Sequence, residues 1–259
     1  MDPIAAATES VSALVLRCLD LTSLGEDDTP ARAAELARKA ATPFGQPAAL
    51  CVYPELIVAA RMGLARAGIA EVPVATVVNF PEGAADPARV ERETRRALAA
   101  GADEIDLVFP WRSFLAGDEA AARAVLAAAQ ARCHGRAPLK LILESGAYRD
   151  PGALDAAAQL GLEGGADFLK TSTGKHSPGA TPEAARIILK AIADSGRSAG
   201  FKVSGGVRSL REAVAYMALV RQILGEAAVS PARFRIGASA LLDDVLQSLT
   251  LERADADRP

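Results

Sequence analysis

Short apolar runs alternate with longer helix-forming segments along nearly the whole chain. The runs are rich in Val, Ile and Leu and are bounded by Gly, Pro or Asp, which is typical of buried strands in a parallel sheet. The pattern predicts eight strands, at residues 14–19, 48–53, 73–78, 104–109, 139–143, 166–169, 201–203 and 234–236.

Helices are predicted between the strands from their start signals. Thr or Asp stands directly before Pro at several of these starts; Thr and Asp suit the N-cap, and Pro suits the first helical turn. These caps are Thr29, Asp86, Asp150 and Thr181. We also expect an N-terminal helical arm, up to about residue 11, and a polar C-terminal tail over residues 252–259.

The order of these elements predicts an α/β fold. Eight strands, almost every one followed by a helix, fit a closed (β/α)8 TIM barrel better than an open doubly wound sheet. No GxGxxG motif follows the first predicted strand, which weakens the open-sheet alternative. The predicted organisation is one barrel domain, residues 1–251, followed by the polar tail.

Composition and charge indicate which partners, location and cofactors to expect. The net charge of −3 and the lack of a basic run give no reason to expect a nucleic-acid or membrane partner. No signal peptide is recognisable and no apolar stretch approaches ~18 residues, so we expect a cytoplasmic protein. The two histidines, His134 and His176, lack metal-ligand spacing, which argues against a zinc-dependent mechanism, and we expect no cofactor.

Polar side chains stand at the ends of nearly all the predicted strands. In a barrel, the active site lies at the C-terminal ends of the strands. In chain order these residues are Asp20 with Thr22, Cys51, Asn79, Asp106, Glu144, Lys170, Lys202 and Ser239. The two-residue period of a strand places Glu104 with Asp106, and Lys140 with Glu144, on faces that we expect to point inward.

Lys170 and Lys202 fall on consecutive predicted strands, each before a turn of small residues. An ordinary lysine has a pKa of ~10.4, and lowering it to about 7 requires roughly 4–5 kcal/mol of bias against the charged form. A second ammonium group about 5 Å away contributes roughly 3 kcal/mol of this at an effective dielectric near 20, and desolvation can supply the rest. The pair therefore predicts one nucleophilic amine. The alternative is a buried ion network in which Asp106, Glu104 or Glu144 pairs with the lysines.

Glycine-rich turns follow the last two predicted strands. Gly205-Gly206-Val207-Arg208 and Gly237-Ala238-Ser239 let backbone N–H groups converge on an anion, and the second turn opens a helix. They predict a phosphate cradle, with ordinary tight turns as the alternative. Residues 171–175 resemble the end of a nucleotide-binding P-loop, but Leu169 stands where that motif needs Gly and His176 replaces Ser or Thr, so we reject nucleotide binding by that route.

Other strand-end groups suit supporting roles. Asp106 could act as a proton shuttle through a water molecule. Asp20, Thr22 and Asn79 either orient substrate hydroxyl groups or cap their strands.

Several segments containing these residues resemble the deoxyribose-phosphate aldolase family. The matching segments are CLDLTSL from Cys18, CVYP from Cys51, VVNFPEG from Val77, GADEIDLVFP from Gly101, ADFLKTSTGK from Ala166, FKVSGGVR from Phe201 and RIGAS from Arg235. They occur in order over about residues 14–245, and the combination of DFLKTSTGK with GGVR is highly specific.

The resemblance implies a class I, metal-independent aldolase of deoxynucleoside catabolism. Such an enzyme reversibly cleaves 2-deoxy-D-ribose 5-phosphate to D-glyceraldehyde 3-phosphate and acetaldehyde through a lysine Schiff base. By motif, Lys170 is the imine-forming lysine, Lys202 lowers its pKa, and Asp106 is the acid/base residue. The segments that match the substrate and phosphate region contribute Thr171, Gly174, Lys175, Gly205, Gly206, Arg208, Gly237 and Ser239. Related barrels associate, so a homodimer is expected.

Two departures from the family pattern stand out. Ala240 occupies a position where some members have a second Ser, so one hydroxyl contact to phosphate is expected to be missing. The chain ends Asp257-Arg258-Pro259, without the tyrosine that some members have there. A Schiff-base aldolase for another sugar phosphate and a catalytically silent phosphate-sugar binding protein stay open as alternatives.

Overall fold

The computed structural model describes residues 9–256 as a closed barrel of eight parallel strands. The strands are β1 Leu19–Thr22, β2 Ala49–Val52, β3 Val74–Val78, β4 Glu104–Val108, β5 Leu139–Ile142, β6 Phe168–Lys170, β7 Gly200–Ser204 and β8 Phe234–Ala238. Each strand pairs with the next in chain order, and β1 pairs with β8 to close the barrel. The predicted (β/α)8 fold is confirmed.

Helices cover the outside of this barrel. They are α1 Val11–Arg17, α2 Pro30–Ala40, α3 Ile57–Arg66, α4 Pro87–Ala99, α5 Trp111–Leu115, α6 Glu119–Cys133, α7 Pro151–Glu163, α8 Pro182–Asp194, α9 Leu210–Leu224 and α10 Leu241–Ala256. No helix within residues 9–256 is both long and apolar enough to cross a membrane.

The predicted helix starts are confirmed at each of the four Thr-Pro or Asp-Pro pairs. The side chains of Thr29, Asp86, Asp150 and Thr181 accept a hydrogen bond from a backbone N–H in the first turn of α2, α4, α7 and α8. Because Pro at the first helical position has no N–H to leave unsatisfied, the pair ends the preceding loop and starts the helix.

The first predicted strand is wrong over residues 14–17, which belong to α1. Ser10 caps this helix by accepting a hydrogen bond from Ala13 N–H, and the buried residues Ser12, Val15 and Leu16 follow helical spacing. A short apolar run cannot be assigned to strand or helix by its hydrophobicity alone. The strand β1 therefore begins at Leu19. The predicted helical arm lies mainly over residues 1–8, outside the described residues.

The predicted polar C-terminal tail is exposed but helical where the structure describes it. Residues 252–256 continue α10, and Glu252 accepts a hydrogen bond from Ser12 of α1. This contact gives the polar end of the helix a partner in α1. Residues 257–259 lie outside the described residues.

Candidate active site

Lys170 and Lys202 lie side by side inside the barrel. Lys170 ends β6, and the register of β6 and β7 places it directly beside Lys202. Both ammonium nitrogens lie 2.8 Å from the same carboxylate oxygen, Oδ2 of Asp106 on β4. The two nitrogens are therefore no farther apart than twice that distance, and both point inward rather than toward the helices.

Asp106 is the common partner of three lysines. Its other oxygen, Oδ1, accepts a hydrogen bond from Lys140 on β5 at 2.9 Å. Lys202 has a second carboxylate partner, Asp20 on β1, at 2.5 Å. The alternative of a buried ion network is thus realised together with the close lysine pair.

The two lysines have opposite pKa shifts. Burial lowers the pKa of Lys170, Asp106 acts against this effect, and the neighbouring charge of Lys202 adds to the lowering. Burial also disfavours the charged form of Lys202, but Asp106 and Asp20 outweigh it and raise its pKa. Because a neutral amine is the nucleophilic form, this electrostatic arrangement favours Lys170 as the nucleophile.

Asp106 stays ionised in this setting. Burial works to raise its pKa, but Lys140, Lys170 and Lys202 together hold the pKa well below its usual range. Such a carboxylate is a strong hydrogen-bond acceptor and a weak base.

A cavity of about 440 Å³ opens above the lysines at the C-terminal end of the barrel. Nine of the residues predicted to act on substrate line it: Thr22, Lys170, Gly174, Lys175, Gly205, Gly206, Arg208, Gly237 and Ser239. The structure therefore brings the lysine and the glycine-rich turns to one cavity.

The glycine turn after β7 has the backbone geometry of an anion-binding loop. Gly205 and Gly206 have φ values of 89° and 106°, where a residue with a side chain is strained. The turn leads into α9, whose first turn is fixed by a capping box between Ser209 and Glu212. Backbone N–H groups near a helix N-terminus favour a negatively charged group.

Gly237 on β8 also makes room for Lys202. A Cβ atom at this position would lie 3.1 Å from Cε of Lys202 and 3.0 Å from Cβ of Ser204. The glycine therefore lets the Lys202 side chain pass along the barrel interior toward Asp106.

Five of the predicted residues lie outside the lining of this cavity. Asp106 and Lys202 are fully buried below it, as is Asp20, which pairs with Lys202. Thr171 Oγ1 donates to Ser204 O and accepts from Ser204 N–H, which ties β6 to β7. Asn79 donates to the carbonyls of Ala84 and Val108 and accepts from Ala84 N–H, so it holds the loop after β3.

Glu144 lies beyond the end of β5, the strand on which it was predicted to share an inward face with Lys140. The strand ends at Ile142, and Glu144 has a left-handed backbone with φ 57°. Its carboxylate accepts hydrogen bonds from Thr173 N–H and from Thr173 Oγ1, at 2.5 Å for the hydroxyl. Because the two-residue period stops where the strand stops, it does not determine where this carboxylate points; the carboxylate contacts Thr173, which lines the cavity.

Sequence reasoning missed several residues that line the cavity. Thr173 and Ser204 border it beside Lys170, and Leu24 and Asp28 border it from the loop after β1. Thr173 and Ser204 lay within segments already singled out. Leu24 ends the matching segment CLDLTSL, whereas Asp28 lay in no such segment, and a loop leaves no periodic pattern that would have indicated it.

Comparison with known proteins agrees with this geometry. Residues 14–247 match the model of the DeoC/LacD family aldolases. The chain is 45% identical over 238 residues to a deoxyribose-phosphate aldolase from Agrobacterium fabrum, covering 92% of this chain and 91% of the relative.

Solved structures give the same result. A Toxoplasma gondii protein provisionally named a deoxyribose-phosphate aldolase superposes with a TM-score of 0.86 at 26% identity, over 93% of this chain and 94% of the other. The deoxyribose phosphate aldolase of Aeropyrum pernix, described as a tetramer, superposes with a TM-score of 0.73 at 26% identity, over 93% and 92%. The chain belongs to the DeoC/LacD family of aldolases.

Proposed function

We propose that this aldolase reversibly cleaves 2-deoxy-D-ribose 5-phosphate to D-glyceraldehyde 3-phosphate and acetaldehyde through a Schiff base on Lys170. The observation that carries the proposal is a buried lysine of lowered pKa in the floor of a cavity whose rim is a glycine-rich turn. The naming of the Agrobacterium fabrum relative supports the choice of substrate.

The first step uses the nucleophilic amine. The neutral Nζ of Lys170 adds to the aldehyde at C1, and loss of water gives an imine that is protonated on nitrogen. Asp20 and Asp106 keep Lys202 positively charged. Because a second positive charge beside Lys202 is unfavourable, Lys170 stays a neutral amine.

The second step breaks the C2–C3 bond. Removal of the C3 hydroxyl proton turns C3 into the aldehyde carbon of glyceraldehyde 3-phosphate, while the bonding pair moves toward the protonated imine and leaves an enamine. Asp106 is the acid/base group of this step, acting through a water molecule. Because its pKa is held low, it orients the water and passes the proton on rather than storing it.

The last step releases acetaldehyde. The enamine is protonated at C2, and hydrolysis of the resulting imine returns Lys170 to the free amine. The phosphate group binds at Gly205, Gly206, Gly237 and Ser239, with Lys175 and Arg208 at the cavity wall. A helix N-terminus and backbone N–H groups suit this dianion.

Borohydride trapping with acetaldehyde tests the proposal most directly. Peptide mass spectrometry should find an ethyl adduct on Lys170. In a separate turnover assay, we expect acetaldehyde release from deoxyribose 5-phosphate and far less cleavage of ribose 5-phosphate. Lys170→Leu should abolish both signals, while the exposed Lys190→Leu should leave them unchanged. An adduct on another lysine, or wild-type turnover by Lys170→Leu, would contradict the role of Lys170.

We place this activity in cytoplasmic deoxynucleoside catabolism. Association into a homodimer stays a prediction, which sedimentation velocity tests.

A further inference from the structure

Charged side chains inside the barrel form a closed ring of ion pairs. Lys202 contacts Asp106 at 2.8 Å, Asp106 contacts Lys140 at 2.9 Å, and Lys140 contacts Glu104 at 2.5 Å. Arg235 completes the ring: its guanidinium contacts Glu104 at 2.8 Å and Asp20 at 2.6 Å, and Asp20 contacts Lys202 at 2.5 Å. We call these six residues the charge ring: Asp20, Glu104, Asp106, Lys140, Lys202 and Arg235.

The charge ring is balanced without Lys170. It contains three carboxylates and three cations in strict alternation, so every carboxylate already lies between two cations. Lys170 contacts the ring from outside, through Oδ2 of Asp106. A proton on Lys170 therefore adds a buried positive charge that no carboxylate of the ring is left over to balance.

Two ring members, Arg235 and Glu104, lie away from the cavity above Lys170. Arg235 borders a second cavity, of about 480 Å³, at the N-terminal end of the barrel, and it lies over the ring of Phe168 there. Glu104 contacts Arg235 and Lys140 below Asp106. Neither side chain lines the cavity above Lys170.

We propose that Arg235 and Glu104 are positioning residues that set the protonation state of Lys170 from the opposite end of the barrel, through the charge balance of this ring. The inference rests on the proposed role of Lys170 as nucleophile. The balance of charges in the whole ring, and not Lys202 alone, decides whether Lys170 carries a proton.

Other titratable groups face the same region. Cys51 on β2 faces Lys170 and Lys202, and Cys18, before β1, faces Arg235. Burial raises the pKa of both thiols, so they are neutral near pH 7 and add no charge to the count. The ring cations Lys140, Lys202 and Arg235 have raised pKa values, whereas Lys170, outside the ring, has a lowered one.

Changes at the two residues should have opposite effects. Arg235→Met leaves three carboxylates with two cations, so the ring recruits Lys170 as the third cation and its pKa rises. Glu104→Gln leaves three cations with two carboxylates, so the pKa of Lys170 falls. We expect each shift to be about one unit, which is about tenfold in the neutral amine at a given pH.

The experiment measures the pH dependence of Lys170 acetylation by acetic anhydride, read by peptide mass spectrometry with the exposed Lys190 as internal reference. This readout needs no aldol chemistry, so failure of the proposed function and failure of the ring hypothesis are distinguishable. Circular dichroism and thermal denaturation identify folded variants. Arg233→Met is the matched control, because it removes a guanidinium that binds only the Ala199 carbonyl among the hydrogen bonds seen in residues 9–256.

The double variant Glu104→Gln/Arg235→Met gives the decisive result. It removes one charge of each sign, so the acetylation profile should return to that of the wild type, although each single variant shifts it. Arg235→Lys keeps the charge and should also keep the profile. Shifts in the same direction for both single variants, no shift in Glu104→Gln, or a double variant that stays displaced would overturn the proposal.

Discussion

Lys170 and Lys202 donate to the same oxygen of Asp106, yet the pKa of Lys170 is lowered and the pKa of Lys202 is raised. The difference comes from Asp20, which contacts Lys202 and so gives that lysine a second carboxylate. Two chemically identical side chains on adjacent strands thereby have pKa values shifted in opposite directions, which fits the proposed roles of a charged Lys202 and a nucleophilic Lys170.

Lys202→Leu tests this division of roles. Removing the Lys202 charge lets Asp106 favour the ammonium form of Lys170, so the pKa of Lys170 rises and the neutral amine at pH 7 falls. At the ordinary lysine pKa of ~10.4 only roughly one amine in a few thousand is neutral at pH 7, so we expect the rate at pH 7 to fall by an order of magnitude or more, with partial recovery at alkaline pH. The pH profile of kcat/KM measures the effect.

Two controls accompany this variant. Lys190→Leu removes an exposed lysine of α8 and should keep the wild-type profile. Thermal denaturation must show that Lys202→Leu is folded, because Asp20 and Asp106 lose a buried partner. A folded Lys202→Leu enzyme with an unchanged pH profile would rule out this explanation.

The sequence predicted the pair but could not choose between its members from the residues alone. Spacing put Lys170 and Lys202 on adjacent strands, and the charge argument required only that one of them be neutral. The contact between Asp20 and Lys202 spans 182 residues of chain. No local pattern encodes such a contact, so only the resemblance named Lys170 in advance.

Glycines let the loops at the active end of the barrel pack backbone against backbone. A Cβ atom on Gly179, in the loop after β6, would overlap the carbonyl oxygen of Gly205 in the loop after β7. Ala180 N–H donates to that carbonyl at 2.8 Å. A Cβ atom on Gly146, after β5, would likewise overlap the carbonyl oxygen of Pro178. The glycine turn that borders the cavity is therefore held by its neighbouring loop.

Gly179→Ala should displace the turn at Gly205 without moving the lysines, which are held in strands. We expect KM for deoxyribose 5-phosphate to rise roughly tenfold or more, because small displacements of binding groups have large effects. Imine trapping with acetaldehyde, which has no phosphate, should change little.

Gly152→Ala is the matched control for this variant. Gly152 lies in the first turn of α7, and the Asp150 carboxylate would lie 3.5 Å from a Cβ atom there, an ordinary van der Waals distance. Its KM should match the wild type. An equal loss of trapping and of phosphate affinity in Gly179→Ala would show that the loop supports the lysines as well.

Elements with strong local signals were predicted well, and those defined by distant partners were not. The Thr-Pro and Asp-Pro starts gave the helices correctly because the cap and the proline are adjacent in sequence. The run at residues 14–17 is as apolar as a strand, but its neighbours are α9 and α10, far along the chain. Its helical state follows from that packing.

The two ends of the described chain contact each other beside the barrel. Ser12 of α1 is 2% exposed; its Oγ lies 3.0 Å from Ser248 Oγ and donates to Glu252 Oε1 at 2.5 Å, both on α10. In the chain α1 directly precedes β1 and α10 directly follows β8, and these two strands pair to close the barrel. These bonds therefore join the first and last described helices.

Ser12→Ala should destabilise the whole molecule while leaving the active site intact. Loss of a buried hydroxyl that serves two side chains of α10 is expected to cost about 1–2 kcal/mol, which corresponds to roughly 2–4 °C in Tm for a chain of this size. Calorimetry measures the shift, and kcat at 25 °C should be unchanged because the lysines and the cavity are untouched. Thr250→Ala is the control, since its hydroxyl donates only within α10, to Leu246 O, in the described chain. Equal Tm values for the two variants would show that the contact between the chain ends contributes nothing to barrel stability.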